Sequence, residues 1–144
     1  MGLDITHYKA ILKLPEKISI NINNQIRSDY GIETSKSFSS FNVPFDYFKK
    51  YIQKIKINST ETLEGFYFQE VGYQRKGMNN KFWKRFCSSE TYDYALLEDF
   101  HFAYESLKRN EAESKSEFMK RKQYFKENFI DNFEIGKSFL SVSY

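Results

Sequence analysis

Apolar residues along this chain first alternate, then recur in helical steps, then alternate again, and that order predicts the elements. Leu3, Ile5 and His7 alternate with Asp4, Thr6 and Tyr8, which predicts a first strand over about residues 2–10. Beyond Pro15, Ile18, Ile20 and Ile22 alternate with Lys17, Ser19 and Asn21, a second short strand with one buried face. Residues 23–40 are rich in Asn, Ser, Asp, Gly and Thr and read as a long loop. A loop of that length inside a compact domain is mobile, functional or hides a short element. Asn42 and Pro44 then open a predicted helix over 43–53, with Phe45, Phe48, Ile52 and Ile55 on one face. Ile55 and Ile57 alternatively begin a strand that runs into the polar turn Asn58-Ser59-Thr60-Glu61.

The stretch from Gly65 to Phe86 carries the most local signal. Phe66 and Phe68 point one way and Tyr67, Val71 and Tyr73 the other, so both faces of the strand bear rings and the strand belongs inside the sheet. Gly72 marks a bulge or a close backbone approach. Gly77 ends the strand and Asn79 offers an N-cap. Phe82, Trp83 and Phe86 then share one side of a short helix, with Lys81, Lys84 and Arg85 on the other.

Tyr92 to Ala95 reads as a short strand, and Leu97, Phe100, Tyr104 and Leu107 as a helical face with His101 on its margin. Residues 110–116 form a polar connection or helix start, and Phe118, Phe125 and Phe129 the next helical stripe. The chain closes on an alternating strand over 137–144, after Gly136. These elements predict an α+β fold, a mainly antiparallel sheet with three or four helices packed on one face, as a single domain spanning residues 1–144.

Composition narrows the function classes. A net charge of +3 is too small to demand a nucleic-acid or membrane partner by itself, so only local clustering argues for one. One cysteine, Cys87, and two histidines, His7 and His101, exclude an internal disulfide and a His-rich or Cys-rich metal site, and predict no metal and no cofactor. Apolar runs are too short to cross a bilayer, and the N-terminus lacks a secretory layout, so a cytoplasmic protein without a membrane partner is expected. Gly2 followed by Thr6 loosely matches a myristoylation pattern, but Asp4 puts an acid beside the would-be anchor and a first strand accounts for these residues better. With 15 Phe, 11 Tyr and 1 Trp, the chain is rich in rings, which at these spacings build core first.

Charge is segregated in mid-chain. Arg75, Lys76, Lys81, Lys84 and Arg85 follow one another without an acid, and Glu90, Asp93, Glu98, Asp99 and Glu105 follow without a base. Either the two blocks face each other as surface ion pairs, or the basic block is an anion site. In the second reading Tyr73, Arg75, Lys76, Asn79 and Lys81 bind the ligand, with free backbone N–H groups at the helix start beside them. No glycine-rich phosphate loop is present. Rings interleaved with cations suit a nucleic acid or nucleotide, since rings stack on bases while cations meet phosphates.

Two other classes stay open: a protein-interaction module that uses the aromatic surplus, and a hydrolase or nuclease that uses Asp4 and His7 near Arg75. His101, Asp99 and Cys87 are weaker catalytic candidates, because no base and orienter accompany them at recognisable spacing.

The opening Met1-Gly2-Leu3-Asp4 and the segment Val71-Gly72-Tyr73 with Arg75, Lys76 and Trp83 resemble a group of small bacterial and phage-borne proteins. Those proteins open MGLDMYL and carry a segment of the form VGYWRKANxIHxWF. The resemblance covers about a fifth of the chain. Here Lys81 stands where that segment has histidine, Gln74 where it has its first tryptophan, and the asparagine is displaced to Asn79. The resemblance implies a bacterial or mobile-element origin and no mechanism.

Overall fold

The computed structural model describes residues 3–15, 30–40, 42–86 and 92–143. The strand expected at 18–22 and the residues Gly2, Cys87 and Glu90 lie outside them. Six strands form one antiparallel sheet: β1 (Asp4–Ile11), β2 (Tyr30–Thr34), β3 (Gln53–Lys56), β4 (Thr62–Arg75), β5 (Tyr92–Tyr94) and β6 (Ser138–Ser143). Their order is β2-β4-β1-β6-β5, with β3 beside the first half of β4. Gly65 pairs with both Thr34 and Gln53, so β2 and β3 flank β4 on opposite edges, and β3 continues the edge that β1 occupies further along. Three α-helices complete the α+β class: α1 (Asn80–Phe86), α2 (Leu97–Glu105) and α3 (Lys115–Phe125). The last runs into a π-helical turn, Lys126–Ile130. No helix of the described residues is long and apolar enough to cross a membrane.

The sheet separates two cores. Pairing puts opposite residues on the same face, and successive residues of a strand on opposite faces. On β6, Leu140 and Val142 point to the α-helices while Phe139 points away. The first core joins Leu3, Ile5, Leu140 and Val142 to Phe82, Phe86, Phe100, Phe125 and Phe129 from the helical layer. The second joins Ala10, Phe66, Phe68 and Phe139 to Phe38 and Phe48 from two 3-10 turns, Ser37–Ser40 and Phe45–Phe48, and to Val43 between them. The three α-helices therefore share one face, and short irregular turns cover the other.

A bulge lets β4 serve both cores. His7 pairs with Gly72 but Tyr8 pairs with Glu70, so Val71 is one residue too many for β1. An extra residue exchanges the two faces of the strand beyond it. Phe66 and Phe68 lie in the turn-covered core, yet the Gly72 backbone lies against Phe129 of the helical layer and Gln74 is buried. A Cβ on Gly72 would sit 2.9 Å from the Phe129 ring and 3.0 Å from the Asn128 carbonyl, which is the close approach that the glycine permits.

The helix expected over 43–53 is a correction. Only one 3-10 turn forms, and the chain enters β3 at Gln53. The apolar spacing of Phe45 and Phe48 suits a single turn as well as a longer helix. Phe48 stacks on Phe66 at 4.2 Å, the Tyr51 and Ile52 amides both close onto the Phe48 carbonyl, and β4 offers an edge to pair with. Ladder formation then overrides local helix preference. The loop expected over 23–40 does hide a short element, β2, whose Gly31 lets the Phe68 ring lie across it.

Elsewhere local chemistry sets the ends. Ser114 caps α3 by accepting the Glu117 amide at 3.1 Å. Phe125 and Phe129, one turn apart, stack at 4.0 Å with planes 6° from parallel. Deleting Val71 should therefore abolish cooperative unfolding in urea, since it sends either the Phe66 and Phe68 rings or the Gly72-Gln74 segment to the wrong face. A deletion variant with a wild-type midpoint would contradict the two-core assignment.

Candidate functional site

The end of β4, the turn after it and α1 hold the residues that the sequence marks. Tyr73 and Arg75 are exposed on the sheet face away from the α-helices, beside Asp4 of β1. The Tyr73 hydroxyl donates to Asp4 Oδ1, and Arg75 Nε lies 3.8 Å from the same oxygen. That hydrogen bond pushes the Tyr73 phenol above its ordinary pKa, so the ring stays neutral. The Arg75 pair is solvent-exposed, and pairs of that kind contribute about 0–1 kcal/mol. On its other side the Tyr73 amide donates to the Tyr124 hydroxyl at 3.1 Å, docking α3 against the strand.

Lys76 and Gly77 make the turn, with φ of 59° and 70°. Gln74 is buried and its amide donates to the Arg75 and Lys76 carbonyls, while the Lys76 amide donates to the Leu3 carbonyl at 2.9 Å. A left-handed conformation at a lysine is unfavourable, and these bonds hold it. Asn79 is the N-cap, as its position predicts: its Oδ1 accepts from the Lys81 amide at 3.0 Å and the Phe82 amide at 3.2 Å. The N–H groups expected to be free at the helix start are thus partly taken by the protein's own side chain, and α1 spans only seven residues. Asn79 serves the helix, and the cations carry what remains of the anion site.

Tertiary contact adds to them. The segment 77–79 runs antiparallel to 106–108: Lys108 donates its amide to the Gly77 carbonyl, Met78 bridges Leu107, and the Asn79 amide donates to the Ser106 carbonyl at 2.8 Å. This register brings the Lys108-Arg109 backbone alongside Lys76-Gly77, and all three cations are exposed. Arg121 of α3 locks the junction. Its guanidinium donates to the Lys108 carbonyl and, at 3.4 Å, to the Gly77 carbonyl, and makes two 2.9 Å bonds to Glu113. The hydrogen bonds from Arg121 hold the Glu113 carboxyl below the usual carboxylate range. Lys108 and Arg109 close a helical stripe in the sequence and carry no signal of their own there; only the pairing of two connections 30 residues apart makes them neighbours of Lys76.

The two charge blocks touch at one point among the described residues. Arg85 Nη2 lies 2.8 Å from Oδ1 of Asp99, which is buried at the start of α2. Among the described residues no acid lies within ion-pair distance of Lys76, Lys81 or Lys84. Tyr73 and Trp83, 41% and 39% exposed, add aromatic surface to the same elements.

The catalytic candidates are not brought together. Asp4 faces away from the α-helices, whereas His7, three residues on, is fully buried beneath them. His7 Nδ1 donates to the Asn128 carbonyl and Nε2 accepts from the Ser138 hydroxyl, both at 2.8 Å, with Phe100 packed edge-on against the ring. A carbonyl can only accept, so this geometry fixes the neutral tautomer. Burial lowers its pKa to about 4. His7 is a structural linker of β1, β6 and the π-helical turn. His101 is exposed on α2, and no group of three or more His, Cys, Asp or Glu among the described residues could hold a metal.

Two outcomes follow from this geometry. Because the fold prefers neutral His7, stability is complete above the unfolded pKa of about 6.5 and falls as pH drops towards 4, by on the order of 3 kcal/mol. Urea titrations across that window should show this slope in the wild type and a shallower one in His7→Gln. Gly77→Ala should cost about 2 kcal/mol, from the left-handed backbone and from displacement of the Arg121 guanidinium against which a Cβ would press. Chemical denaturation checks it.

No protein-family model matches this chain, and neither a curated protein nor a solved structure matches it.

Proposed function

We propose that the protein binds an anionic polymer, single-stranded nucleic acid in the first place, on the surface built from Tyr73, Arg75, Lys76, Lys81, Lys84, Lys108 and Arg109. One observation carries the reading: the antiparallel contact of 77–79 with 106–108 brings exposed cations of two separate connections together, and the elements that flank the first connection each expose a ring, Tyr73 on β4 and Trp83 on α1. Exposed cations spread over a strand end, a turn, a helix and a second connection suit a repeating phosphate backbone better than a single phosphate, which calls for an enclosed cradle. Tyr73 and Trp83 supply stacking surface, and base–aromatic stacking contributes about 1–3 kcal/mol per base. Asp4 holds the Tyr73 ring through its hydroxyl. A hydrolytic role for Asp4 and His7 finds no support, since the two side chains occupy opposite faces of the sheet.

Fluorescence anisotropy with a labelled single-stranded oligoribonucleotide tests the reading. Affinity should fall steeply with salt. Lys76→Asn combined with Lys81→Gln and Lys108→Gln should reduce the slope of log K against log salt by about 2, from about 0.7 per lost phosphate contact. Asparagine suits position 76 because it tolerates the left-handed backbone. An absence of binding at low salt, or an unchanged slope in the triple variant, would refute the proposal.

A further inference from the structure

A concave cavity of about 520 Å³ opens between the segment 42–47 and the connection from β5 to α2. Its volume falls in the range of small-molecule sites. Val43, Pro44, Tyr94 and Leu96 give it apolar and aromatic walls, and none of its lining residues belongs to the basic surface.

Its polar side chains are two carboxylates, Asp46 and Asp99, the Asn42 amide and the Tyr47 hydroxyl. Asp99 is 4% exposed; its Oδ1 is held by Arg85, and its Oδ2 makes no hydrogen bond among the described residues. The Tyr47 hydroxyl donates its single proton to backbone, 2.9 Å from the Ser138 carbonyl and 3.3 Å from that of Ala95. Burial pushes the Tyr47 phenol up, keeping that proton in place. Among the described residues Asp46, on the exposed rim, pairs with no cation, and no lysine or arginine lines the cavity. Arg85 and the positive end of α2 balance Asp99, so the uncompensated charge is that of Asp46. Two carboxylates and no basic side chain among the described lining residues, beside tyrosine rings, favour a positively charged guest.

We propose that this cavity binds a small organic cation, a protonated amine carried on an aromatic or branched apolar body. The ammonium pairs with the Asp46 and Asp99 carboxylates, and the apolar body lies against Val43, Pro44 and Leu96.

Three probes that share one ring separate charge from shape: phenethylamine, phenethyl alcohol and phenylpropanoate, titrated against the full chain by two-dimensional amide NMR. Phenethylamine should shift the amides of Tyr47, Ala95 and Leu96 saturably and bind roughly tenfold tighter than the alcohol, as a desolvated ammonium with carboxylate and ring partners requires. Asp46→Asn, a change at an exposed side chain, should weaken it several-fold, and Ala95→Trp, which fills the cavity, should abolish it. Equal binding of all three probes, tightest binding of the carboxylate, no shifts with any probe, or unchanged binding in Ala95→Trp would overturn the proposal. The amide spectra of the variants report directly whether each is folded.

Discussion

One extra residue in one strand organises this molecule. Without a bulge at Val71, β4 would present Phe66, Phe68, Gly72 and Gln74 to the same side, and a single core would have to absorb them all. With it, the first half of the strand feeds the turn-covered core and the second half lies beneath the helices. The aromatic richness of the chain follows from this division. Two thin layers on opposite faces of a sheet need large side chains to fill them, and rings bury the most area per residue. Phe48 and Phe66 stack in one layer, Phe125 and Phe129 in the other.

Polar links hold the layers where apolar packing alone would leave them free to slide. His7 ties the central strand to the π-helical turn through Asn128 and to β6 through Ser138, whose hydroxyl also receives the Glu134 amide. Two residues on, Lys9 is buried up to its ammonium, which reaches Asn132 and Glu134. A buried polar group left without its partner costs more than the bond itself contributes, so these contacts specify position more than they add stability. Their satisfaction also explains why a histidine in the middle of a strand is not a catalytic one: both ring nitrogens are committed to the fold.

Charge follows a related logic. Among the described residues the basic and acidic blocks of the sequence do not neutralise each other as blocks. One half-buried pair, Arg85 with Asp99, joins α1 to α2, and the cations around it stay exposed. The cations collect at a junction of two connections clamped by Arg121, while Asp46 and Asp99 line a separate apolar cavity. The chain thus carries two surfaces of opposite character, and the proposed polyanion and organic cation are the guests that their charges select.

What local physics decides was readable along the chain. Alternation, helical spacing and the Asn79 cap placed β1, β4, β5, β6, α1 and α2 close to their observed bounds and located α3 by its phenylalanine stripe, because burying one face of each element and satisfying its end groups are choices made within about ten residues. The N-cap role of Asn79 and the special status of Gly72 and Gly77 were legible for the same reason. What depends on partners far along the chain was settled by long-range pairing. Residues 43–53 have a helical apolar spacing, but an open edge of β4 and the Phe66 ring turned them into one short turn and a strand. Lys108 and Arg109 join the basic surface through hydrogen bonds between two loops, and residues from 42 to 99 meet around a cavity that no segment forms alone. Periodicity states which side of an element is buried, and long-range pairing alone states against what.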